Sequence, residues 1–432
     1  MRRSIAVGCG VLLLAGWQVP SASAAVSGVQ VAWVDATHAK VRITWSESTP
    51  SANTLALETD GGGEPLSLGS VPVGAPNELL VNTSYLGYTN YPDVSRVVVS
   101  DPAGGSASSV GFDRYSRPGG GPNFSFAPQG GVKWDFYPDP YGDSTPNDPL
   151  DVTGGTKYTV RLRYDKQPHV YGDCGEVLLP ASTATNGVIP DNGQPAAVAV
   201  LTSNEWNPKP RGDDGSAITT TSLTIAAPTV TAYGTPLTLT GTGAYHDVLE
   251  GGTVVCRQRA YPLASVLVAL QGRNSPTSAW YVVGSTQMDG TGKYSFSLPN
   301  PGAREYRVVY TTTAGGANAI MVGATTVTKA VKATTRVMSA KFISPVITYG
   351  TKPQAYLWVD PANTQRAALQ FKNASGVWQG VSYKTLYAGK GLLQFSWSKR
   401  GATQFRWYVP ASTHNSLPVA AVYSGVFTLT VR

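Results

Sequence analysis

One stretch near the C-terminus repeats a stretch about a hundred residues upstream. The segment GLLQFSWSKRGATQFRWYV (391–409) aligns without gaps on GKYSFSLPNPGAREYRVVY (292–310), and six of the nineteen positions are identical. Sequences of ordinary composition would share about one or two. Tyr233-Gly234-Thr235 also pairs with Tyr349-Gly350-Thr351, but at an offset larger by 17 residues, so the first copy contains an insertion between the two matches. The repeat predicts two homologous units, residues 223–330 (the first repeat) and 331–432 (the second repeat).

Short runs of alternating polar and apolar residues recur along the whole chain. KVRITWSE, KYTVRLRYD and AAVAVLTS are typical, and clusters of Gly, Pro, Asn and Asp separate them. This alternation has the period of a half-buried β-strand, while stripes with the period of a helix are nearly absent. The pattern predicts an all-β fold of tandem β-sandwiches. We place a first domain at 25–115 and a second domain, sandwich-like with long loops, at 116–222.

The N-terminal residues have the features of an export signal. Two arginines precede a short apolar stretch (5–17), and Ala22-Ser23-Ala24 supplies the small residues of a cleavage site. We therefore predict a secretory signal peptide over residues 1–24. No later run of about 18 apolar residues follows. The expected location is extracellular, either free or held non-covalently at the cell surface.

Several segments resemble known extracellular modules. TVTAYGTPLTLTG, DGTGKYSFSL and EYRVVY in the first repeat resemble the immunoglobulin-like repeats of secreted Gram-positive bacterial proteins, and the second repeat resembles them more loosely. Residues 25–115 resemble a fibronectin type III-like sandwich. LPNPGAREY resembles the corner before strand F of such sandwiches, which implies that the Tyr306 hydroxyl bonds to the backbone. Phe405 occupies that position in the second repeat and has no hydroxyl.

Two cysteines follow the leader, Cys174 and Cys256. Export favours a disulfide between them; the alternative is a metal site with His169 and His246, although their spacing fits no common zinc motif. Cys256 falls in the inserted part of the first repeat, whereas Cys174 lies in the second domain. The predicted bridge therefore joins two neighbouring domains and restrains their relative orientation.

Charge is distributed unevenly. The second repeat has twelve Lys and Arg against a single acid, Asp360, while residues 25–330 have nineteen basic and twenty-five acidic residues. Such asymmetry indicates an anionic partner for the basic end, such as a cell-wall polymer or an acidic polysaccharide. The alternative is that the lysines serve solubility alone. The candidate anion-binding residues are Lys399, Arg400, Lys352, Lys372, Lys384 and Lys390.

The aromatic residues around the basic corner of the second repeat have a different expected role. Phe395, Trp397, Phe405 and Trp407 alternate with polar residues, as inward positions of a half-buried strand do. We predict that these rings are mainly core, rather than a stacking platform for a ligand. The turn Lys399-Arg400, which replaces Asn300-Pro301 of the first repeat, is then a cationic corner joining two buried aromatic segments.

Enzymatic motifs are absent from the sequence. It contains no HExxH, GxSxG or phosphate-binding loop, so we predict a protein without enzymatic activity. One loop between 134 and 151 is rich in oxygen ligands and could hold Ca²⁺; the alternative is an ordinary solvated loop. Its candidate ligands are Asp135, Asp139, Asp143, Asp148 and Asp151, and no other cofactor is expected.

These features favour a secreted, modular binding or adhesion protein whose basic second repeat docks on an anionic cell-surface polymer. Two alternatives remain. One is a carbohydrate-binding accessory protein, in which exposed Trp and Tyr stack on sugar rings. The other is an extracellular enzyme with its site in residues 116–222.

Overall fold

The computed structural model describes residues 25–127, 131–137, 141–166, 174–190, 193–212, 215–251, 254–314 and 319–432. The predicted leader, 1–24, lies outside these residues and stays a prediction. Nearly all regular elements in the described part are β-strands, which confirms the all-β fold. The helix found there spans four residues, and no helix in that part has the length and apolar character that a membrane crossing requires.

The first domain is a sandwich of two antiparallel sheets. Its elements are β1 (Val26–Trp33), β2 (Lys40–Glu47), β3 (Asn53–Thr59), β4 (Leu66–Val71), β5 (Glu78–Asn82), α1 (Thr83–Leu86), β6 (Val94–Ser100), β7 (Ser106–Ser108) and β8 (Phe112–Asp113). One sheet has the order β1-β2-β5 and the other β4-β3-β6-β7, with β8 also paired to β6. Inward residues such as Ile43 and Val99 alternate with outward ones and form the core. This fibronectin type III-like architecture is the one that the resemblance implies.

The second domain contributes two further sheets. Its strands are β9 (Asn123–Phe126), β10 (Val132–Asp135), β11 (Lys157–Tyr164), β12 (Gly175–Leu178), β13 (Asn186–Ile189), β14 (Ala196–Ser203) and β15 (Ser216–Leu223). One sheet has the order β13-β10-β9, and the other begins β12-β11-β14-β15. Trp134 from the first of these sheets and Val198 from the second lie in one core.

Trp206 joins the first two domains. It follows the end of β14 and is buried in the core of the first domain together with Leu150. Its ring lies 5.0 Å from that of Trp33 and 6.3 Å from that of Phe112, centroid to centroid. In the sequence Trp206 follows shortly after the strand pattern AAVAVLTS, with no sign of a partner in another domain. The structure shows that it also supplies core to the neighbouring domain.

The first repeat contains β16 (Val230–Ala232), β17 (Pro236–Gly251), β18 (Val254–Pro262), β19 (Leu267–Arg273), β20 (Tyr281–Gln287), β21 (Lys293–Pro299), β22 (Arg304–Tyr310), β23 (Thr313–Ala314), β24 (Ala319–Val322), β25 (Ala324–Thr325) and β26 (Lys329–Thr334). The second repeat contains β27 (Arg336–Phe342), β28 (Val346–Ile347), β29 (Gln354–Asp360), β30 (Gln365–Lys372), β31 (Trp378–Leu386), β32 (Lys390–Gln394), β33 (Gly401–Val409), β34 (Ser412–His414), β35 (Leu417–Val419), β36 (Val422–Tyr423) and β37 (Phe427–Val431). Strands β15 and β26 run across the predicted boundaries at 222/223 and 330/331.

The two repeats have the same strand pairing. The sheet β16-β26-β22-β19-β20 corresponds to β28-β37-β33-β30-β31, including the parallel pairing of its first two strands. Leu270 faces Val308 in the first repeat, and Leu369 faces Trp407 in the second. A register shift follows Leu270 and Leu369 alike. Positions in this sheet can therefore be compared one to one between the repeats.

The insertion in the first repeat is a long hairpin. Strand β17 pairs with β21 through its first half and with β18 through its second half. The hairpin reaches the second domain, where the backbone N–H of Gln258 donates to Asp165 Oδ2 over 3.0 Å. A disulfide joins Cys256 on β18 to Cys174 beside β12, as predicted. Strand β15 also pairs with both β14 and β17, so one sheet continues across these two units.

The second repeat also packs against the first. Its β34–β35 hairpin places Ala420 beside Thr334 and Thr335, with backbone hydrogen bonds from Thr335 N–H to the Ala420 carbonyl and from Ala420 N–H to the Ala333 carbonyl. Asn363, just before β30, is hydrogen-bonded to His414 of that hairpin over 2.7 Å. The start of β30 therefore lies near the first repeat, and its end at Lys372 lies at the far end of the molecule's last sandwich.

Candidate anion-binding site

An open cleft of about 690 Å³ lies at that far end of the second repeat. It is formed by the end of β30 and the loop that follows it, the residues just before β33, the start of β33, and β37. Phe371 points inward while its neighbour Lys372 is exposed, because successive strand residues face opposite sides. The residues lining the cleft include Phe371, Lys372, Asn373, Gly376, Lys399, Arg400, Gln404 and Thr428.

The aromatic side chains behind the cleft belong to the core. Phe405 and Trp407 are fully buried and Phe395 nearly so, while Trp397 is half-buried with its ring 5.0 Å from that of Phe405. This agrees with the prediction of a buried aromatic face. The expected strand through 395–398 is not formed, because β32 ends at Gln394 and the segment up to Arg400 has no regular structure.

Two cations of the corner rest on aromatic rings. The Lys399 Nζ lies 4.5 Å from the centroid of the Phe371 ring. The Arg400 guanidinium lies 4.4 Å from the centroid of the Tyr349 ring. Such contacts orient a cation at an exposed site while leaving its charge uncompensated. Asp360, the one acid of the repeat, lies at the other end, near Gly234 of the first repeat.

The first repeat neutralises the charge at the equivalent position. There Arg273 Nε forms an ion pair with Glu305 Oε2 over 2.6 Å. At the equivalent positions the second repeat has Lys372 and Gln404, which both line the cleft. Replacing the carboxylate by an amide leaves Lys372 without the acid that its counterpart has.

The turn before β33 also differs from the equivalent turn before β22 of the first repeat. Asn300 of the first repeat is buried, and its amide donates to Thr231 Oγ1 over 2.7 Å. A Cβ on Gly302 would collide with Leu417 of the second repeat, so this corner is closed by a neighbour. A Cβ on the equivalent Gly401 would have no described heavy atom within 4 Å. The cationic corner Lys399-Arg400 is therefore exposed where its counterpart is used for packing.

The other predicted cations lie elsewhere on the second repeat. Lys352 is exposed in the loop before β29. Lys390 lies over the Trp358 ring, with its Nζ 4.9 Å from the centroid, and Lys384 lies on β31 beside Gly391. The structure thus brings Lys372, Lys399 and Arg400 together and separates the remaining three from them. Sequence reasoning missed Gln404, although its alignment with Glu305 contained the signal.

Most of the predicted calcium ligands accept hydrogen bonds from nearby residues. Asp148 Oδ2 accepts hydrogen bonds from the Asp113 backbone N–H (3.0 Å) and from Thr145 Oγ1 (2.8 Å). Asp151 Oδ2 accepts from the Asp148 backbone N–H over 2.8 Å. Asp143 Oδ1 accepts the Thr145 N–H over 2.9 Å, Asp135 lies at the end of β10, and Asp139 lies outside the described residues. In the described part no group of three or more His, Cys, Asp or Glu could hold a metal ion, and calcium stays a prediction.

A second cleft, of about 440 Å³, lies where the first two domains meet. Glu205 and Asp113 line it together with Arg117 and Asp151. Burial, with a smaller contribution from Asp151 and Asp113, raises the pKa of Glu205 to about 7. Burial also raises the pKa of Asp113 to about 6, with Asp143 and Asp148 adding to the effect. Both carboxyls can therefore hold a proton closer to neutral pH than an exposed carboxyl would.

No protein-family model and no curated protein matches the chain. Similar solved structures include a tetra-tandem repeat from the extending region of a large adhesion protein, at 13% identity over 94% of this chain and 99% of that chain, with a TM-score of 0.26. The D0-D1 domain of Intimin is similar at 13% identity over 48% and 97% of the two chains, with a TM-score of 0.16. The FN1-FN3 domains of chicken CNTN1 are similar at 12% identity over 71% and 98%, with a TM-score of 0.23. The tandem immunoglobulin-like and fibronectin type III-like architecture is established by the strand pairing of the chain itself.

Proposed function

We propose that the protein is a secreted, non-enzymatic binding or adhesion protein whose second repeat docks on an anionic polymer of the cell surface. The observation that carries this proposal is the exchange of the Arg273–Glu305 ion pair for Lys372 and Gln404. The cleft therefore has a positive charge on Lys372 that no acid neutralises, whereas the equivalent Arg273 of the first repeat is neutralised by Glu305.

Charge and location support the proposal. A surface with twelve cations and one acid attracts polyanions over several ångströms, with a strength that falls as salt rises. Export follows from the predicted leader and suits the Cys174–Cys256 disulfide, since such bonds persist in oxidising compartments. The cell surface of a Gram-positive bacterium, rich in acidic polymers, is the proposed location.

Reversal of the cationic corner tests the proposal. Lys399→Glu with Arg400→Glu should weaken binding of the full chain to purified Gram-positive cell walls at least about tenfold at low salt, because two attractions of up to about 1 kcal/mol each become repulsions. Co-sedimentation at low and high salt measures the effect. Binding by the unaltered protein should itself fade at high salt.

A matched control separates the cleft from net charge. Lys352→Glu with Lys384→Glu changes the charge by the same amount on the same repeat but outside the cleft. We expect this control to lose far less affinity. Equal losses in the two double variants would show diffuse attraction without a site, and unchanged binding in both would contradict the proposed function.

The second cleft favours an alternative, an extracellular enzyme with its site in residues 116–222. A carboxyl with a pKa of about 7, such as that of Glu205, can act as a general acid near neutral pH. Such an enzyme should release reducing ends from cell-wall polysaccharide, and Glu205→Gln should abolish the release. No release by the unaltered protein would exclude this hydrolytic function.

A further inference from the structure

The outer face of the sheet β28-β37-β33-β30-β31 differs between the repeats in a specific way. Ala368 on β30 pairs with Tyr383 on one side and with Tyr408 on the other, and Tyr408 pairs in turn with Tyr423. Ala269, the equivalent of Ala368, begins the same row in the first repeat. That row continues with Ser285, Val309 and Thr325 in place of the three tyrosines. The tyrosines are thus additions to a framework that folds without them.

Another part of this face is common to both repeats. Arg406 Nε donates to Gln370 Oε1 over 2.9 Å, and its guanidinium lies 4.3 Å from the Trp378 ring centroid. The first repeat has the same cluster, with Arg307 donating to Gln271 over 2.8 Å and lying 4.2 Å from the Trp280 ring centroid. Both repeats therefore contain this arginine–tryptophan cluster. It is a shared structural feature of the two sheets and gives no reason to assign binding to the second repeat.

The added rings are open to solvent. Tyr383 is 64% exposed and Tyr423 is 51% exposed. The Arg366 guanidinium lies 4.8 Å from the Tyr383 ring centroid, and the first repeat has Leu267 in place of Arg366. Exposed apolar surface rimmed by polar residues is typical of interaction sites, and here the rings lie beside Arg366.

The tyrosines and the cationic cleft belong to one surface. Arg366, Gln370 and Lys372 project from the same side of β30, because they are separated by even numbers of residues. From Arg366 to Lys372 the strand extends about 20 Å. The resulting stripe of cations and rings runs from the tyrosines to the cleft at Lys399-Arg400, and the sequence of the second repeat places no acid on it.

From this surface, and resting on the proposed function, we infer that the anionic polymer is an acidic polysaccharide that lies along β30. Its acidic groups pair with Arg366, Lys372 and the cleft cations. The apolar faces of its sugar rings cover Tyr383 and Tyr423. A polyphosphate chain would satisfy the cations equally well, but it has no apolar face to cover the solvent-exposed parts of Tyr383 and Tyr423, whose rings already contact Arg366 and Arg406.

Binding of defined probes to the full chain tests this inference. The probes are polygalacturonate, inorganic polyphosphate and neutral dextran, each measured by calorimetry at low salt. The decisive variant is Tyr383→Ser with Tyr423→Thr, which installs the residues that the first repeat has in the same register and so preserves the fold. Unfolding midpoints of the variants monitor that preservation.

We expect polygalacturonate to bind, dextran not to bind, and the tyrosine variant to bind polygalacturonate at least tenfold more weakly while polyphosphate binding is unchanged. Equal binding of polygalacturonate by the variant would overturn the inference. Tighter binding of polyphosphate than of polygalacturonate would also overturn it, while leaving the proposed function intact. Failure of both polyanions to bind would count against the proposed function as well.

Discussion

At the scale of single residues, Tyr306 and Phe405 occupy equivalent positions in the two repeats, and both are fully buried. The resemblance to fibronectin type III corners implied that the Tyr306 hydroxyl bonds to the backbone. That expectation is wrong, because the hydroxyl is buried without a backbone hydrogen bond in the described structure. Burial also raises the pKa of Tyr306, as expected for a phenol removed from water. Packing of the ring, which Phe405 supplies equally, is what holds this position.

Exchanging the two side chains tests this account. Tyr306→Phe should leave the free energy of unfolding within about 1 kcal/mol of the original value or raise it, since it removes a buried polar group that lacks a partner. Phe405→Tyr should lower it by about 1–3 kcal/mol by burying a hydroxyl among apolar rings. Urea unfolding measures both variants. A loss above about 2 kcal/mol in Tyr306→Phe would show that the hydroxyl has a stabilising bond after all.

At the scale of elements, the β17–β18 hairpin determines how the second domain and the first repeat are joined. It is the inserted segment of the repeat, and it brings Cys256 to Cys174 across a sequence separation of 82 residues. Parallel pairing of β24 with β15 adds a second connection between the same units. By sequence the hairpin is part of the first repeat, but in the structure it connects that repeat to the second domain.

Loss of the disulfide should weaken this joint. Cys174→Ser with Cys256→Ser should lower the free energy of unfolding by up to about 4 kcal/mol, because the bridge limits the freedom of a long loop in the unfolded chain. The hydrogen bond between Gln258 and Asp165 and the pairing of β15 with β17 remain, so the fold should persist. Unfolding of the variant beside the reduced and the oxidised protein measures the change. Equal stability of variant and oxidised protein would contradict the prediction.

The elements also show which parts of the structure could be predicted. The repeat, its insertion, the disulfide and the buried Phe405 all follow from alternation and alignment within the sequence. The pairing of β24 with β15 does not, since the two strands lie about a hundred residues apart and neither contains a signal for its partner. Trp206 was missed for a similar reason, because burial in a neighbouring domain leaves no mark on local pattern. Alignment of the two repeats predicted the cationic corner of the candidate site. The cleft could not be predicted in this way, because it forms only where β30 and β33 pair in a particular register.

At the scale of the whole molecule, the distribution of charge and the contacts between domains divide the chain into two parts. Taken together, the first two domains and the first repeat have nineteen basic and twenty-five acidic residues, and Trp206, the disulfide and a continuous sheet connect them. The second repeat is strongly basic, and its cleft lies at the end away from the first repeat. Under the proposed function, the first three units would act as a connected stem that holds the cationic second repeat, with its cleft at the far end, away from the other domains.

The junction of the first two domains should make the stability of the molecule depend on pH. The pKa of Glu205 is raised from 4.5 to about 7 in the folded protein, so the stabilising contribution is complete below about pH 4.5 and is lost as the pH rises through 7. Asp113, raised from 3.8 to about 6, adds a loss at lower pH. We expect the unfolding midpoint to fall between pH 5 and pH 8, and Glu205→Gln to flatten the upper part of that decline. Thermal unfolding at intervals of one pH unit measures both, and an unchanged slope in the variant would show that the pKa of Glu205 is not raised by burial at this joint.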